Sequence, residues 1–222
     1  MSTFVHVFRT SSIMILMNFF EILGTIAFAI SGALLGVQKK LDIFGVSFLA
    51  MVTAVGGGIF RDIVIGTIPP AAFQDPKYCL ISIGTAVITF HLHKDMNKLK
   101  NIILISDAIG LGIFTVIGGN AAFLHGVNGV FIVVSTGLFT GIGGGILRDV
   151  SVQHIPVVFR KEIYAVASIL GALAFYLCYK YISKEASIYI GFIVTFTVRI
   201  ISVKYNLNLP VCEQKHEDLT VG

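Results

Sequence analysis

The chain has 222 residues, 55% hydrophobic and 13% charged, with a mean hydropathy of +0.89; soluble domains average about 25% charged residues. So apolar a chain cannot keep a water-facing surface soluble, and lipid is the surrounding its composition fits. The formal charge of +4 forms no basic patch that would suit nucleic acid, and Cys79, Cys178 and Cys212 make neither a CxxC pair nor an even-numbered set, so no disulfide scaffold or zinc site is indicated.

After an N-terminal segment, residues 1–13, the apolar run from Ile13 to Val37 is too long for the core of a cleavable signal and lacks a clear small-x-small cleavage site. It reads as a first spanning helix. Such a helix needs ~20 mostly apolar residues, and seven stretches are candidates: roughly 14–37, 43–66, 78–93 (short), 104–124, 129–150, 163–182 and 187–204. Backbone groups in lipid must be satisfied within the segment, so the fold class is all-α, and the runs lack the alternation of a membrane barrel. Lys39, Lys40, Lys94, Lys98, Lys100, Arg160, Lys161, Lys204 and Lys215 fall on one side; Arg9, Lys77, Lys180 and Lys184 fall on the other. The positive-inside rule then puts the N-terminus outside and the C-terminus in the cytoplasm. Residues 205–222 read as a polar cytoplasmic tail.

The stretch from Ala54 to Asp62, AVGGGIFRD, recurs as GIGGGILRD from Gly141 to Asp149, a shift of 87 residues. The same shift takes Gly32 to Gly119, Phe44 to Phe131, Thr53 to Thr140, Pro69 to Pro156 and Gly84 to Gly171; Glu21 recurs as Asp107 one residue off register. Residues 14–93 are thus repeat 1 and 104–182 repeat 2, with the span at 187–204 outside both. A unit of three spans re-enters from the opposite side, which makes this an inverted 3+3 repeat, a design that places solute or ion sites near the midplane beside interrupted helices.

The triplets Gly56, Gly57, Gly58 and Gly143, Gly144, Gly145 lower helix propensity by ~1 kcal/mol per residue relative to alanine, and a kink or local unwinding of the second and fifth spans is expected there. Thr53, Gly57 and Arg61 share one helix face, as do Thr140, Gly144 and Arg148, and each face is a candidate lining of a narrow polar path. A charge within a span costs ~2.5–3.5 kcal/mol or more at the centre, so Arg61, Asp62, Arg148 and Asp149 need partners or water. Neighbours in sequence point about 100° apart, which disfavours pairing within each Arg-Asp dipeptide. Cross-repeat pairing is disfavoured too, since the arginines run to opposite faces and lie ~12 Å apart in depth. The expected charge partners are Glu21 for Arg61 and Asp107 for Arg148. Asp42 and Asp75 read as loop or cap residues, His91 and His93 as interfacial, Arg199 as snorkelling, and Tyr78, Tyr164, Tyr181 and Tyr205 as interface anchors. No nucleophile–base motif, Walker-type phosphate loop or HExxH is present, so an enzyme is not indicated.

The runs AFAISGAL from Ala27, DIFG from Asp42 and GGGxxRD from Gly56, followed by DAIGLxxF from Asp107, GGGxxRD from Gly143 and IPVVxR from Ile155, resemble the two halves of the prokaryotic trimeric intracellular cation (TRIC) channel family. The resemblance covers about residues 15–180. It implies seven transmembrane helices in an inner (plasma) membrane, kinked second and fifth helices, a homotrimer, and one pathway per subunit for potassium and other monovalent cations. It implies no cofactor, only the transported potassium or sodium ions and an associated lipid. The Lys-Glu-Val motif beside which animal relatives bind a phosphoinositide is absent. Bacterial members are also classed as glycine transporters, which leaves a secondary transporter of glycine or another small amino acid as the alternative.

Overall fold

The structure is a computed structural model that describes residues 2–92, 96–160 and 163–207. The readings for His93, Lys94, Lys161, Cys212, Lys215 and the tail from residue 208 fall outside these residues, as do the side chains of Arg9 and Lys98. Among the described residues all regular structure is helical: α1 Ser2–Gln38, α2 Ile43–Val64, α3 Ala71–Gln74, α4 Lys77–Leu92, α5 Met96–Leu124, α6 Val130–Ser151, α7 Val157–Arg160, α8 Ile163–Tyr181 and α9 Lys184–Tyr205. Six segments within these helices, Ile13–Gln38, Ile43–Val64, Leu99–Leu124, Val130–Ser151, Ile163–Tyr181 and Lys184–Tyr205, are long and apolar enough to cross a membrane, and α4 is a shorter apolar helix of 16 residues. Both α2 and α6 continue as α-helix through their glycine triplets, without unwinding.

Helix ends follow local chemistry. Asp42 caps α2, accepting from the Gly45 amide at 2.7 Å, and Ser183 caps α9, accepting from Ala186 at 3.0 Å. Helices α1, α2, α5 and α6 stop the same way, with a left-handed residue just past the end: Lys40, Gly66, Gly126 and Gln153. The following amides reach back to Gly36, Asp62, Ala122 and Asp149 carbonyls at 2.8–3.0 Å, which satisfies groups the helix ends would leave orphaned.

The copies meet through reciprocal contacts. A Cβ on Gly57 would strike the carbonyl of Thr140, and one on Gly144 the carbonyl of Thr53. These pairings make α2 and α6 antiparallel, crossing at backbone contact. Beside them Phe28 of α1 stacks on Phe114 of α5, ring centroids 5.2 Å apart, with Gly110 beneath Phe28 and Gly24 beneath Phe114. Gly32 lies against the Thr53 hydroxyl, and its counterpart against Thr140 is Gly118 rather than Gly119, which faces Phe175 and Val133. The shift between α1 and α5 is therefore 86 residues, as Glu21 and Asp107 also require. The turn after α5 (125–129) is one residue longer than the turn after α1 (39–42), and this restores 87 between α2 and α6.

Candidate functional site

Both Arg-Asp dipeptides form ion pairs. Arg61 reaches Asp62 Oδ1 through Nε at 2.9 Å and Nη2 at 2.7 Å; Arg148 Nε reaches Asp149 Oδ1 at 2.8 Å. The 100° argument fails because it describes Cβ directions, whereas the long arginine stem curls back at a helix end. The second carboxylate oxygen has its own task. Asp62 Oδ2 accepts from the Ala71 amide at 2.8 Å and Asp149 Oδ2 from Val157 at 3.0 Å, so each aspartate ties the first residue of a four-residue helix, α3 or α7, to its signature helix.

Beyond this shared unit the two ends differ. Arg148 is 3% exposed, and its Nη1 donates to Asp107 Oδ1 at 2.5 Å and to Ser31 Oγ at 2.6 Å. Arg61 is only partly buried. Glu21 accepts from the Tyr78 hydroxyl, and no ion pair joins it to Arg61. Of the two expected pairs, the structure brings together Arg148–Asp107 and leaves Arg61–Glu21 apart, although Glu21 and Arg61 line the same cavities.

A cavity of about 530 Å³ opens at the Arg61 end, where Met14, Met17, Asn18, Glu21, Arg61 and Thr67 line it among others. At the other end a cavity of about 540 Å³ is bounded by Lys100, Ile103, Leu104, Arg148, Asp149 and His154. Most of these positions correspond at shifts of 86 or 87, so the two are counterpart vestibules. A deeper pocket of about 60 Å³ continues from the Arg61 end past Thr25, Ala54, Val55 and Gly58. At the Arg148 end the positions matching Glu21, Thr25, Tyr78, Phe114 and Ile117 are Asp107, Leu111, Tyr164, Phe28 and Ser31, which are buried and line none of the three cavities. Thr25, Phe114 and Ile117 are buried as well, so the pocket and not burial distinguishes the ends.

Thr53 and Thr140 take no part in lining these three cavities. Their hydroxyls donate to the Leu49 and Thr136 carbonyls, each at 2.6 Å, inside the helix crossing. Gly57, Gly143 and Gly144 pack on the opposing backbone and Gly56 on the Leu147 side chain; Gly145 faces the Tyr164 hydroxyl, and Gly58 faces the pocket. The cavity-lining face of α2 is thus set by Gly58, Arg61 and Asp62, and of the Thr-Gly-Arg line only the arginine reaches it.

Sequence reasoning missed Ser31 and the partnership of Tyr78 with Glu21, and misplaced Tyr164 and Arg199. Ser31 carried no local signal. Tyr78 and Tyr164 recur at the same 86-residue shift as Glu21 and Asp107, which was a readable cue. Tyr164 is no interface anchor: it is 2% exposed, and Arg199, 1% exposed and not snorkelling, stacks over its ring at 4.7 Å. Among the described residues no three His, Cys, Asp or Glu side chains converge as a metal site.

A family model described as glycine transporter matches the chain twice, at residues 18–94 and 104–180. The chain is similar to the inner membrane protein YadS of Escherichia coli K12, 38% identical over 198 residues (88% of this chain, 95% of that one), and to the membrane protein YvgT of Bacillus subtilis 168, 36% identical over 194 residues (86% and 93%). Among solved structures it resembles a prokaryotic TRIC channel crystallised in 0.5 M KCl, with TM-score 0.82 and 40% identity over 88% of this chain and 99% of that one. It also resembles the trimeric intracellular cation channel orthologue of Rhodobacter sphaeroides, with TM-score 0.80 and 35% identity over 86% and 99%.

Proposed function

The chain belongs to the prokaryotic trimeric intracellular cation (TRIC) channel family, and we propose on that basis that it is a passive monovalent cation channel with potassium as its principal ion. The pathway runs within one subunit, from the vestibule over Arg61 to the vestibule under Arg148. The copies form an inverted repeat, α4 is the seventh crossing, and the assembly is a homotrimer in the inner membrane. Each signature arginine is compatible with a cation path because the carboxylates of its own unit outnumber it: Glu21, Arg61 and Asp62 sum formally to −1, and so do Asp107, Arg148 and Asp149, with Lys184 at the rim of the first vestibule and Lys100 and Arg160 at the rim of the second. Neutralised arginines can then swing or block while the remaining charge favours cations. The glycine triplets let α2 and α6 slide or bend against each other at backbone contact.

The observation that carries this reading is the pair of counterpart vestibules at opposite ends of the α2–α6 crossing. Purified protein in planar bilayers tests it. Discrete unitary currents in potassium chloride, with a reversal potential that follows the potassium gradient, are expected. Saturable glycine exchange without unitary currents would overturn it and favour the carrier.

A further inference from the structure

The two ends share a vestibule, an Arg-Asp pair, a second carboxylate and a tyrosine, yet beyond the vestibule one is packed shut and the other leads into a pocket. The residue facing each arginine from the opposite copy differs. Ser31 of α1 faces Arg148, whereas its counterpart at the 86-residue shift is Ile117 of α5, which lines the cavities beside Arg61. A serine oxygen can accept from a guanidinium and an isoleucine cannot.

We propose that Ser31 is the latch of the proposed pathway, a positioning residue that holds the Arg148 guanidinium across the Arg148 end and keeps that end shut while the Arg61 end stays open. Asp107 and Asp149, the other partners of Arg148, belong to the second copy and travel with it. Among the described residues Ser31 is its one hydrogen-bond partner from the first copy, and it is itself fully buried. A movement that draws α6 away from α1 has to break this bond, and the charge-assisted, water-excluded geometry makes the break costly. At the Arg61 end, among the described residues, no hydrogen bond joins the copies through the guanidinium, and Ile117 offers only hydrocarbon. The pathway thus has one lock, at the Arg148 end.

This inference rests on the channel reading, and two readouts keep them separable. In planar bilayers Ser31→Ala is expected to shorten closed dwell times about tenfold or more, the scale of a lost hydrogen bond to a charged group, with Ser31→Thr closer to the parent. The mirror variant Ile117→Ser places a hydroxyl before Arg61 and is expected to lengthen closed dwells. This gain does not depend on Ser31→Ala folding. The second readout needs no current. Leu111 lies in the packed Arg148 end at the position matching pocket-lining Thr25. In a chain with its three native cysteines replaced by serine, Leu111→Cys is expected to react with a maleimide added from the Arg148 side several-fold faster when combined with Ser31→Ala. Currents absent from every protein while Ser31→Ala still accelerates labelling would sink the channel reading alone. Currents present with dwell times and labelling unchanged in both Ser31→Ala and Ile117→Ser would overturn the latch.

Discussion

Arg148 is a cation with three oxygen partners and almost no solvent, and a buried ion pair is costly chiefly when one partner is removed. Asp107→Ala is therefore expected to lower stability by about 3–5 kcal/mol. Glu21→Gln keeps an acceptor for the Tyr78 hydroxyl and disrupts no ion pair, so its cost is expected to stay below about 1 kcal/mol. Thermal unfolding of the two purified variants in one detergent measures the difference, and equal losses would mean that the two ends are energetically alike. The Arg148–Asp107 pair was legible from depth alone: both residues lie near the same end of antiparallel neighbours. The failure of the matching pair was not. It depends on Tyr78 engaging Glu21, and on whether Ser31 or Ile117 faces the guanidinium. The latter choice is made 117 residues away from Arg148, where no helical periodicity reaches.

At the scale of elements, the apolar spans were readable to within about five residues because apolar length is a strong signal, whereas helices α1 and α5 begin at Ser2 and Met96, before the apolar runs at 14 and 104. Register was less so. The 87-residue shift holds across α2 and α6 but is 86 across α1 and α5, and also across α4 and α8, where Tyr78, Ser82 and Ala86 match Tyr164, Ser168 and Ala172; in the latter two pairs both residues are fully buried. One residue gained in a turn and one lost in the next connection account for it, and turn lengths cannot be inferred from matched motifs alone. The consequence is measurable at two glycines that the constant shift treats as equivalents. A Cβ on Gly171 would collide with the Thr195 side chain and crowd the Gly191 carbonyl of α9, whereas one on Gly84 meets nothing within 4 Å. Gly171→Ala is expected to destabilise by about 1–3 kcal/mol through overpacking. Gly84→Ala is expected to be neutral or to stabilise by up to about 1 kcal/mol through helix propensity. Chemical denaturation of both in mixed micelles checks the sign at Gly84, and a loss there similar to Gly171 would restore the constant shift.

For the whole molecule, the antiparallel crossing of α2 and α6 is what converts a repeated motif into two opposed ends. The crossing centres on residues 55 and 142, midway between the paired contacts. Each arginine lies six residues beyond, ~9 Å along its helix, so the pair is ~18 Å apart in depth, further than counting from the glycines suggests. Two ends so alike could insert either way round, and the loops have to break the tie. Lys39, Lys40, Lys100, Arg160 and Lys204 lie at the Arg148 end, and Lys77, Lys180 and Lys184 at the other. Basic residues near span ends are retained in the cytoplasm, so the Arg148 end, with the latch and the last turn of α9, is expected to face the cell interior. A C-terminal green fluorescent protein fusion, which matures only in the cytoplasm, is expected to fluoresce, while an alkaline phosphatase fusion at the same point is expected to be inactive. Exchanging Lys39 and Lys40 for glutamine while adding lysines beside Lys180 and Lys184 removes the bias, and alkaline phosphatase activity is then expected to rise. A fusion pattern unmoved by that exchange would mean that packing between the copies, not loop charge, sets the orientation.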